Sequence, residues 1–222
     1  MFGAKRWRGP LDWLFTVVGA VAIVLAVKAW IVNPYRIPSS SMEPTLHCAR
    51  PGSGCEAGSS DRVLANRFIY RVRDPRRAEV VVFEVPRAAR ASGCATQGGT
   101  FVKRLIGLPG DHVREDGDGF IWVNGRRLVE PYIAPARRAR SSRNRSWTVP
   151  RGHYFVVGDN RGQSCDSREW GFVPRKNLIG EVVVTYWPPR RASRELLFTV
   201  IAVAAAAAVV ALARRRRRIA RS

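Results

Sequence analysis

The sequence is poor in the residues from which metal centres are built. It has three histidines and four cysteines, and no two cysteines form a Cys-x-x-Cys pair, so the spacing argues against a structural zinc site. It also lacks a His-Glu-x-x-His string, which disfavours a metalloprotease. We therefore expect neither a metal nor a cofactor.

Acidic residues are also scarce, with 17 Asp and Glu against 38 Lys and Arg and a net charge of +21. Such a balance is typical of nucleic-acid-binding proteins, but the chain shows no zinc-finger spacing, basic leucine zipper or helix-turn-helix signature. Many arginines instead flank apolar runs, where each basic residue contributes about 1 kcal/mol of attraction to anionic lipid. We expect a membrane partner and no nucleic acid. One further arginine cluster is interpreted as a solvated loop: Arg137, Arg138, Arg140, Arg143 and Arg145.

Two apolar runs near the ends of the chain are predicted to be transmembrane helices. As helices, residues 11–32 would extend about 33 Å and residues 196–213 about 27 Å, close to the thickness of a bilayer core. Lys and Arg precede the first run and follow the second, and short basic flanks tend to stay in the cytoplasm. Residues 1–10 and 214–222 are therefore expected to be cytoplasmic, and residues 33–195 to form an extracytoplasmic domain of a multi-pass plasma-membrane protein.

Each run has another interpretation. The first could be a cleaved signal peptide with a site at residues 27–29, but its apolar character continues through Trp30, Ile31 and Val32. The second is rich in alanine and could be a soluble helix, but the arginines after it are typical of a stop-transfer flank. Positive charge at residues 190–194 lies on the outer flank and weakens the predicted topology.

The four cysteines suit an exported domain, because disulfides persist outside the cytoplasm. Cys48 and Cys55 bracket a short loop with Gly and Pro, which makes them the first pair to expect and leaves Cys94 with Cys165. Four free thiols are the alternative.

The middle of the chain is predicted to be mainly antiparallel β, folded as a coiled or barrel-like sheet. Short runs rich in β-branched and aromatic residues are bounded by turn formers, and Asn124-Gly125 is typical of a two-residue hairpin turn. Residues 130–150, rich in Arg, Ser and Pro, are expected to be an irregular insertion. The predicted strands cover residues 62–68, 79–85, 100–106, 119–123, 153–157 and 181–187.

Two strings contain a candidate nucleophile and a candidate base. In IPSSSMEPTL, Ser41 lies between two prolines that restrict the backbone, although a plain Ser/Pro loop has the same composition. In FVKRLIGLPGD, Lys103 shares one strand face with Phe101 and Leu105. Desolvation between such side chains lowers a lysine pKa and permits a base, whereas the commoner use of a strand lysine is to protect a sheet edge.

Other nucleophile arrangements fit poorly. His47 lies too near Ser41 to resemble a known triad order, and His112 and His153 are interpreted as surface or packing residues. No serine is followed three residues later by lysine, so the penicillin-binding pattern is missing.

Together with a third string, GDNRGQSCDSREWGFVP at residues 158–174, these motifs resemble bacterial type I signal peptidase. That family consists of membrane-anchored serine proteases that remove signal peptides from exported proteins. The resemblance spans residues 35–188 and implies a β-sheet catalytic core with a smaller subdomain between the second and third strings. It assigns Ser41 as nucleophile and Lys103 as general base, without a cofactor.

The resemblance also implies supporting roles. The Ser41 amide and the Ser39 hydroxyl would bind the oxyanion, and Ser164 would orient the lysine amine. Signal peptides ending in an A-x-A-like pattern, a phospholipid membrane and, transiently, the secretion translocon would be the partners. Ionic support is assigned to Asp159, Arg161, Asp166 and Arg168, and shallow pockets for small residues to Ile37, Met42, Leu46, Phe101 and Val102.

Two departures from the family pattern leave other functions open. Ser40 stands where glycine is frequent, and Gly162 where a second aspartate is frequent, so one support carboxylate is expected to be missing. A membrane-bound Ser-Lys protease with a dedicated pilus or conjugation precursor is one alternative. An inactive peptide- or lipid-binding β-domain is another, although a silent relative would more readily have lost Ser41, Lys103 or Ser164.

Overall fold

The computed structural model describes residues 18–19, 32–94, 99–139 and 144–189. Most of the first predicted span, the whole of the second, the basic tail, and Arg140 and Arg143 lie outside these ranges. Among the described residues, no helix has both the length and the apolar character needed to cross a bilayer. Val32, the last residue of the first predicted span, is the first residue of a β-strand.

Strands dominate the described residues from Val32 onward, where the helices are only one or two turns long. The strands are β1 Val32–Arg36, β2 Arg62–Asn66, β3 Val80–Glu84, β4 Thr100–Gly107, β5 His112–Glu115, β6 Ile121–Val123, β7 Arg126–Arg127, β8 Arg145–Thr148, β9 His153–Val157, β10 Val173–Pro174 and β11 Leu178–Trp187. The α-helices are α1 Ile69–Val72, α2 Arg87–Ala91 and α3 Ser167–Trp170, and 3-10 turns cover Ser40–Met42, Pro135–Arg137, Arg161–Gln163 and Arg175–Asn177.

The strands form two sheets in which every pairing is antiparallel. The larger sheet has the order β1-β2-β11-β3-β4-β9-β10, and the smaller has the order β7-β6-β5-β8. The smaller sheet lies between the second and third motifs in sequence, as the family resemblance implies. The predicted mainly antiparallel β class is confirmed. A closed barrel is not formed in the described part of the chain, because β1 and β10 remain at opposite edges of the larger sheet.

Strands β4 and β9 connect the two main hydrophobic clusters, because successive side chains of a strand point to opposite faces. Leu105 and Val156 pack in a cluster with Phe83 and Trp170 on one face. Their neighbours Ile106, Phe155 and Val157 pack on the other face against Val113, Ile121 and Val123 of the smaller sheet. The strand that carries Lys103 is therefore fixed on both faces by apolar packing.

The predicted strand runs are confirmed as β2, β3, β4, β6, β9 and β11. The hairpin is confirmed too, since Asn124 and Gly125 have φ values of 51° and 79°, the positive values that a type I′ turn requires. Residues 130–150 are not irregular throughout, because Arg145–Thr148 pairs with β5. Trp147 of this strand packs against Phe155 with ring centroids 4.9 Å apart, a tertiary contact that composition does not reveal.

The structure pairs the cysteines as Cys48–Cys55 and Cys94–Cys165, with Cα–Cα separations of 5.1 and 5.7 Å. The second bridge ties the end of helix α2 to the third motif. Cys165 lies in sequence between Ser164 and Asp166, two of the predicted site residues. The bridge therefore anchors the chain directly beside them.

Candidate active site

The first motif forms a tight turn that is held by its apolar residues. Ser40–Met42 is a 3-10 turn with all three residues buried. Met42 is 1% exposed and packs in a cluster with Ile37, Leu46 and Val63. Burial of these side chains fixes the position of Ser41, which is 7% exposed.

Lys103 reaches Ser41 from strand β4. Its Nζ lies 2.5 Å from Ser41 Oγ, and the residue is only 5% exposed. The Phe101 ring centroid lies 5.6 Å from Nζ, and Leu105 is fully buried, so both strand neighbours contribute to an apolar setting. The structure therefore brings together the predicted nucleophile and base across 62 residues of sequence.

The electrostatic setting of Lys103 favours the neutral amine. Burial lowers its pKa to about 8, the Asp166 carboxylate opposes this shift, and Arg168 reinforces it. The nearby carboxylates are already paired, Asp159 with Arg104 and Asp166 with Arg168. With a pKa near 8, about a tenth of the lysine is neutral at pH 7, and this neutral fraction can accept a proton.

Groups suited to an oxyanion lie beside the Ser41 hydroxyl. Ser39 Oγ is 3.3 Å from Ser41 Oγ. Because Ser41 lies in the first turn of a 3-10 helix, its backbone N–H is one of the donors that an intrahelical carbonyl does not satisfy. From the opposite side, the Asn160 N–H donates to the Ser41 carbonyl oxygen at 3.1 Å.

Ser164 lies close to the site but does not contact Lys103 in a hydrogen bond. Its hydroxyl is buried and near enough to Asp166 to help lower that carboxyl pKa. It nevertheless makes no hydrogen bond of normal geometry to the described protein groups. Space here depends on Gly158, since a Cβ at that position would overlap both the Ser164 hydroxyl and the Ser41 carbonyl.

Asp159 is anchored by residues of the first two motifs. It accepts hydrogen bonds from Arg104 Nε at 2.8 Å, from Arg104 Nη2 at 2.6 Å and from Thr45 Oγ1 at 2.5 Å. Asp159 and Arg104 are 0% and 8% exposed. This bidentate pair joins the strand that carries Lys103 to the start of the third motif.

The remaining charges of the third motif pair with the smaller sheet and with the segment between its strands β7 and β8. Arg161 forms a buried ion pair with Glu130. Arg168 pairs with Asp166 at 2.9 Å and with Glu115 at 2.8 Å. Burial alone would raise the Asp166 pKa, but Arg168 and the Gly158 N–H lower it below its usual value.

Three members of this network were missed from sequence: Arg104, Glu115 and Glu130. Arg104 directly follows Lys103 and lies on the opposite face of β4. A charged residue at such a position within an apolar strand was the sequence signal that could have indicated a buried ion pair. Glu115 and Glu130 lie 53 and 31 residues from their arginine partners, a separation that gives no local pattern.

The expectation of a missing support carboxylate has no visible consequence in the structure. Gly162 is exposed, and a Cβ there would come no nearer than 3.9 Å to the Ala139 side chain. Within the described chain, Arg104, Arg161 and Arg168 each have a carboxylate partner without it.

The described arginines of the arginine-rich segment are not simply solvated, contrary to the prediction. Arg137 pairs with Glu56, Arg138 with Glu130, and Arg145 with both Glu115 and Glu169. These ion pairs hold the described arginines against the rest of the domain.

The five predicted substrate-binding residues divide into two groups. Ile37, Met42 and Leu46 are at most 4% exposed and form a floor beneath the nucleophile turn. Phe101 and Val102 are half-buried on β4. At this end β4 pairs only with β3, since its pairing with β9 begins at Arg104. In the described chain, the other edge of β4 beside Lys103 therefore has no strand partner.

A buried hydroxyl in contact with a buried amine of lowered pKa can perform nucleophilic catalysis. The class of protein to which this geometry points is a serine hydrolase.

Comparisons with known proteins specify the family. Residues 11–187 match the family described as signal peptidase, peptidase S26. A probable signal peptidase I-2 of Synechocystis sp. is 41% identical over 180 residues, which is 80% of this chain and 73% of that protein. Signal peptidase I of Pseudomonas aeruginosa is 31% identical over 77% of this chain and 71% of its own. A crystal structure of a signal peptidase I from Enterococcus faecalis V583 aligns at a TM-score of 0.41 and 34% identity, covering 50% of this chain and 99% of that one.

The chain belongs to the signal peptidase I family. It is accordingly a hydrolase, a serine endopeptidase.

Proposed function

We propose that this protein is a membrane-bound signal peptidase that cleaves exported preproteins after an A-x-A-like sequence with a Ser41–Lys103 dyad. The observation that carries the proposal is the 2.5 Å contact between the buried Lys103 amine and the Ser41 hydroxyl. Its support from the wider chain is the family membership and the apolar setting that holds the lysine pKa near 8.

Acylation begins when neutral Lys103 accepts the Ser41 proton and Ser41 Oγ adds to the scissile carbonyl carbon. The oxyanion that forms accepts hydrogen bonds from the Ser41 N–H and the Ser39 hydroxyl. Lys103 then gives its proton to the leaving amine, which becomes the N-terminus of the mature protein. In the second half, Lys103 accepts a proton from water as the water attacks the ester. Lys103 returns this proton to Ser41 Oγ as the acyl bond breaks, and the signal peptide leaves as a carboxylic acid that ionises to a carboxylate.

The substrate binds in extended form along the unpaired edge of β4. A peptide added there continues the sheet through main-chain hydrogen bonds, and its alternate side chains point toward the enzyme. Phe101 and Val102 line this edge, and the buried floor of Ile37, Met42 and Leu46 limits the depth of any pocket. Shallow pockets favour the small side chains of the A-x-A-like pattern.

The proposed location is the extracytoplasmic face of the plasma membrane. Strand β1 starts at Val32, at the end of the first predicted span, so the domain would begin at the bilayer surface where exported chains emerge. Phospholipid and, transiently, the secretion translocon are the proposed partners. The basic flanks of the two predicted spans support this orientation.

Cleavage of a preprotein by the detergent-solubilised full chain tests the proposal. Wild type is compared with Ser41→Ala, Lys103→Ala and, as a matched control, Lys176→Ala, which removes an exposed lysine. We expect mature product from wild type and the control only, cut after a small residue. An inert wild type, or full activity of Lys103→Ala, would refute the dyad.

Substrate range separates this function from the dedicated-substrate alternative. Several unrelated signal peptides with A-x-A ends should be cleaved at comparable rates. Cleavage of a single pilin-type precursor alone would favour a dedicated peptidase.

A further inference from the structure

Asn160 is a buried polar residue that the mechanism has not yet used. It is 2% exposed and follows Asp159 in the third motif, where it faces the nucleophile turn. Its side-chain Nδ2 donates to the Ser40 carbonyl oxygen at 3.1 Å, and its backbone N–H donates to the Ser41 carbonyl oxygen at 3.1 Å. Asn160 thus binds two consecutive backbone carbonyls, those of Ser40 and Ser41.

The Ser40 carbonyl is joined to the Ser41 N–H through a single planar peptide unit. Because a trans peptide is rigid, its C=O and N–H point in opposite directions and turn together. Fixing the Ser40 carbonyl from one side therefore aims the Ser41 N–H to the other side. That N–H is the backbone donor that the proposed mechanism gives to the oxyanion.

The orientation of the Asn160 amide is itself determined by its surroundings. Nδ2 also donates to Gln163 Oε1 at 3.1 Å, so two acceptor oxygens converge on this end of the amide. Reversing the amide would place Oδ1 against both oxygens. The Glu43 N–H supplies the second hydrogen bond to the Ser40 carbonyl at 3.0 Å, so both acceptor directions of that oxygen are occupied.

We infer that Asn160 is the positioning residue of the oxyanion site, acting through the Ser40–Ser41 peptide unit. This role rests on the proposed Ser41–Lys103 mechanism and adds to it a residue that never touches substrate. Loss of the Asn160 amide should weaken binding of the transition state more than binding of the planar substrate, since the donor it aims is needed only when the oxyanion develops.

The test uses full-length enzyme with Asn160→Asp and Asn160→Ala. Asn160→Asp preserves the size and the backbone N–H, but it places a carboxylate oxygen against the Ser40 carbonyl. We expect kcat to fall by about 100-fold for Asn160→Asp and about tenfold for Asn160→Ala, with KM within about twofold, since direct loss of an oxyanion donor costs about 10²- to 10³-fold. The matched control is Asn177→Ala, whose Nδ2 donates to the Glu84 carbonyl at 3.1 Å and should leave kcat unchanged.

A peptide aldehyde distinguishes positioning from general damage. Ser41 Oγ adds to the aldehyde carbon, the serine proton passes to Lys103, and the carbonyl oxygen becomes an oxyanion. The inhibition constant of the aldehyde should rise by the same factor as kcat falls, while an uncleavable peptide with a planar carbonyl keeps its affinity. Equal weakening of both ligands in the Asn160 variants would overturn the role of Asn160. So would variants with unchanged kcat, measured beside a wild-type enzyme that cleaves. An inert wild type would refute the proposed function as well.

Discussion

Lys103 and Arg104 are neighbours on one strand, but the structure surrounds them with opposite electrostatic environments. Both are buried, at 5% and 8% exposure. Arg104 is bound by both oxygens of Asp159, whereas Lys103 contacts a neutral hydroxyl and has its pKa lowered to about 8. At the same depth of burial, one face of β4 therefore carries an ion pair and the other carries an amine of lowered pKa.

The difference between Lys103 and Arg104 comes from the presence of a paired carboxylate and not from how deeply each side chain is buried. A buried charge is tolerated when it is paired and hydrogen-bonded, and otherwise its pKa shifts toward the neutral form. The carboxylates near the site are paired with arginines, and among the described residues Lys103 forms no salt bridge with a carboxylate. The ion pair and the proposed base thus lie on opposite faces of one strand.

Replacing the lysine by a cation that cannot become neutral should give the largest effect. Lys103→Arg retains positive charge and length, but guanidinium is not deprotonated in proteins. We expect kcat/KM for signal-peptide cleavage to fall by about 10³-fold or more, the upper range for a general base. Lys176→Arg, at an exposed position, is the control, and activity of Lys103→Arg within tenfold of wild type would contradict the proposed base.

Breaking a paired charge should damage stability. Asp166→Ala leaves the buried Arg168 with Glu115 as its carboxylate partner and should lower the free energy of unfolding by about 3 kcal/mol in denaturant titrations at pH 7. Because the Asp166 pKa is lowered in the folded state, this contribution is present above the usual carboxyl pKa and is lost as the pH falls through the folded value. Asp74→Ala, which removes an 88% exposed carboxylate paired with Arg175, should change stability by less than about 0.5 kcal/mol. Equal effects of the two variants would show that burial does not separate them.

Removing the unpaired charge should have the opposite effect on stability. Lys103→Met fills a similar volume, and it removes the penalty measured by the fall in pKa from 10.5 to about 8, which corresponds to about 3 kcal/mol. The unfolded chain binds the lysine proton more tightly, so the penalty is full below pH 8 and disappears as the pH rises through 10.5. Unfolding at pH 7 and pH 10.5 measures this difference, and a destabilised Lys103→Met at pH 7 would contradict it.

The pH dependence of cleavage should follow the same lysine. Only the neutral amine can accept the Ser41 proton, so kcat/KM should rise with pH and level off above about pH 8, with an increase of about tenfold from pH 7 to pH 9. The substrate should lack groups that titrate in this range. A flat or falling profile would exclude neutral Lys103 as the base.

The smallest effect is expected where the sequence departs from the family. Gly162→Asp adds a carboxylate at an exposed position, outside the existing buried pairs. We expect both activity and the free energy of unfolding to change little, by less than about 0.5 kcal/mol in stability. A gain in activity of tenfold would show that the network does lack this group.

Much of the fold was predictable because the strand signal is local. The alternation around Lys103 predicted β4 and the face of its side chain, and Asn124-Gly125 predicted the hairpin. Strand β8 was not predictable, since Arg145–Thr148 is polar and becomes a strand only through pairing with β5.

The chemical groups of the candidate site were predictable from sequence, but their ion pairs and hydrogen bonds were not. Ser41 and Lys103 stand in recognisable strings, and the structure places them together. The partners of Arg161 and Arg168 come from distant segments, and Ser164 does not bond to the lysine as the resemblance implies. Pairings of this kind depend on tertiary geometry, which a single sequence does not contain.

The unpaired edge of β4 determines which features of a substrate the enzyme would recognise. Main-chain groups are the same in every residue except proline. A site that binds them therefore accepts many sequences and selects substrates by the conformation of their backbone. A helical segment has already used its own amide and carbonyl groups and offers none to the strand. The proposed substrate must therefore be unwound before Ser41, and the enzyme would test whether a chain is extended before it tests which side chains the chain carries.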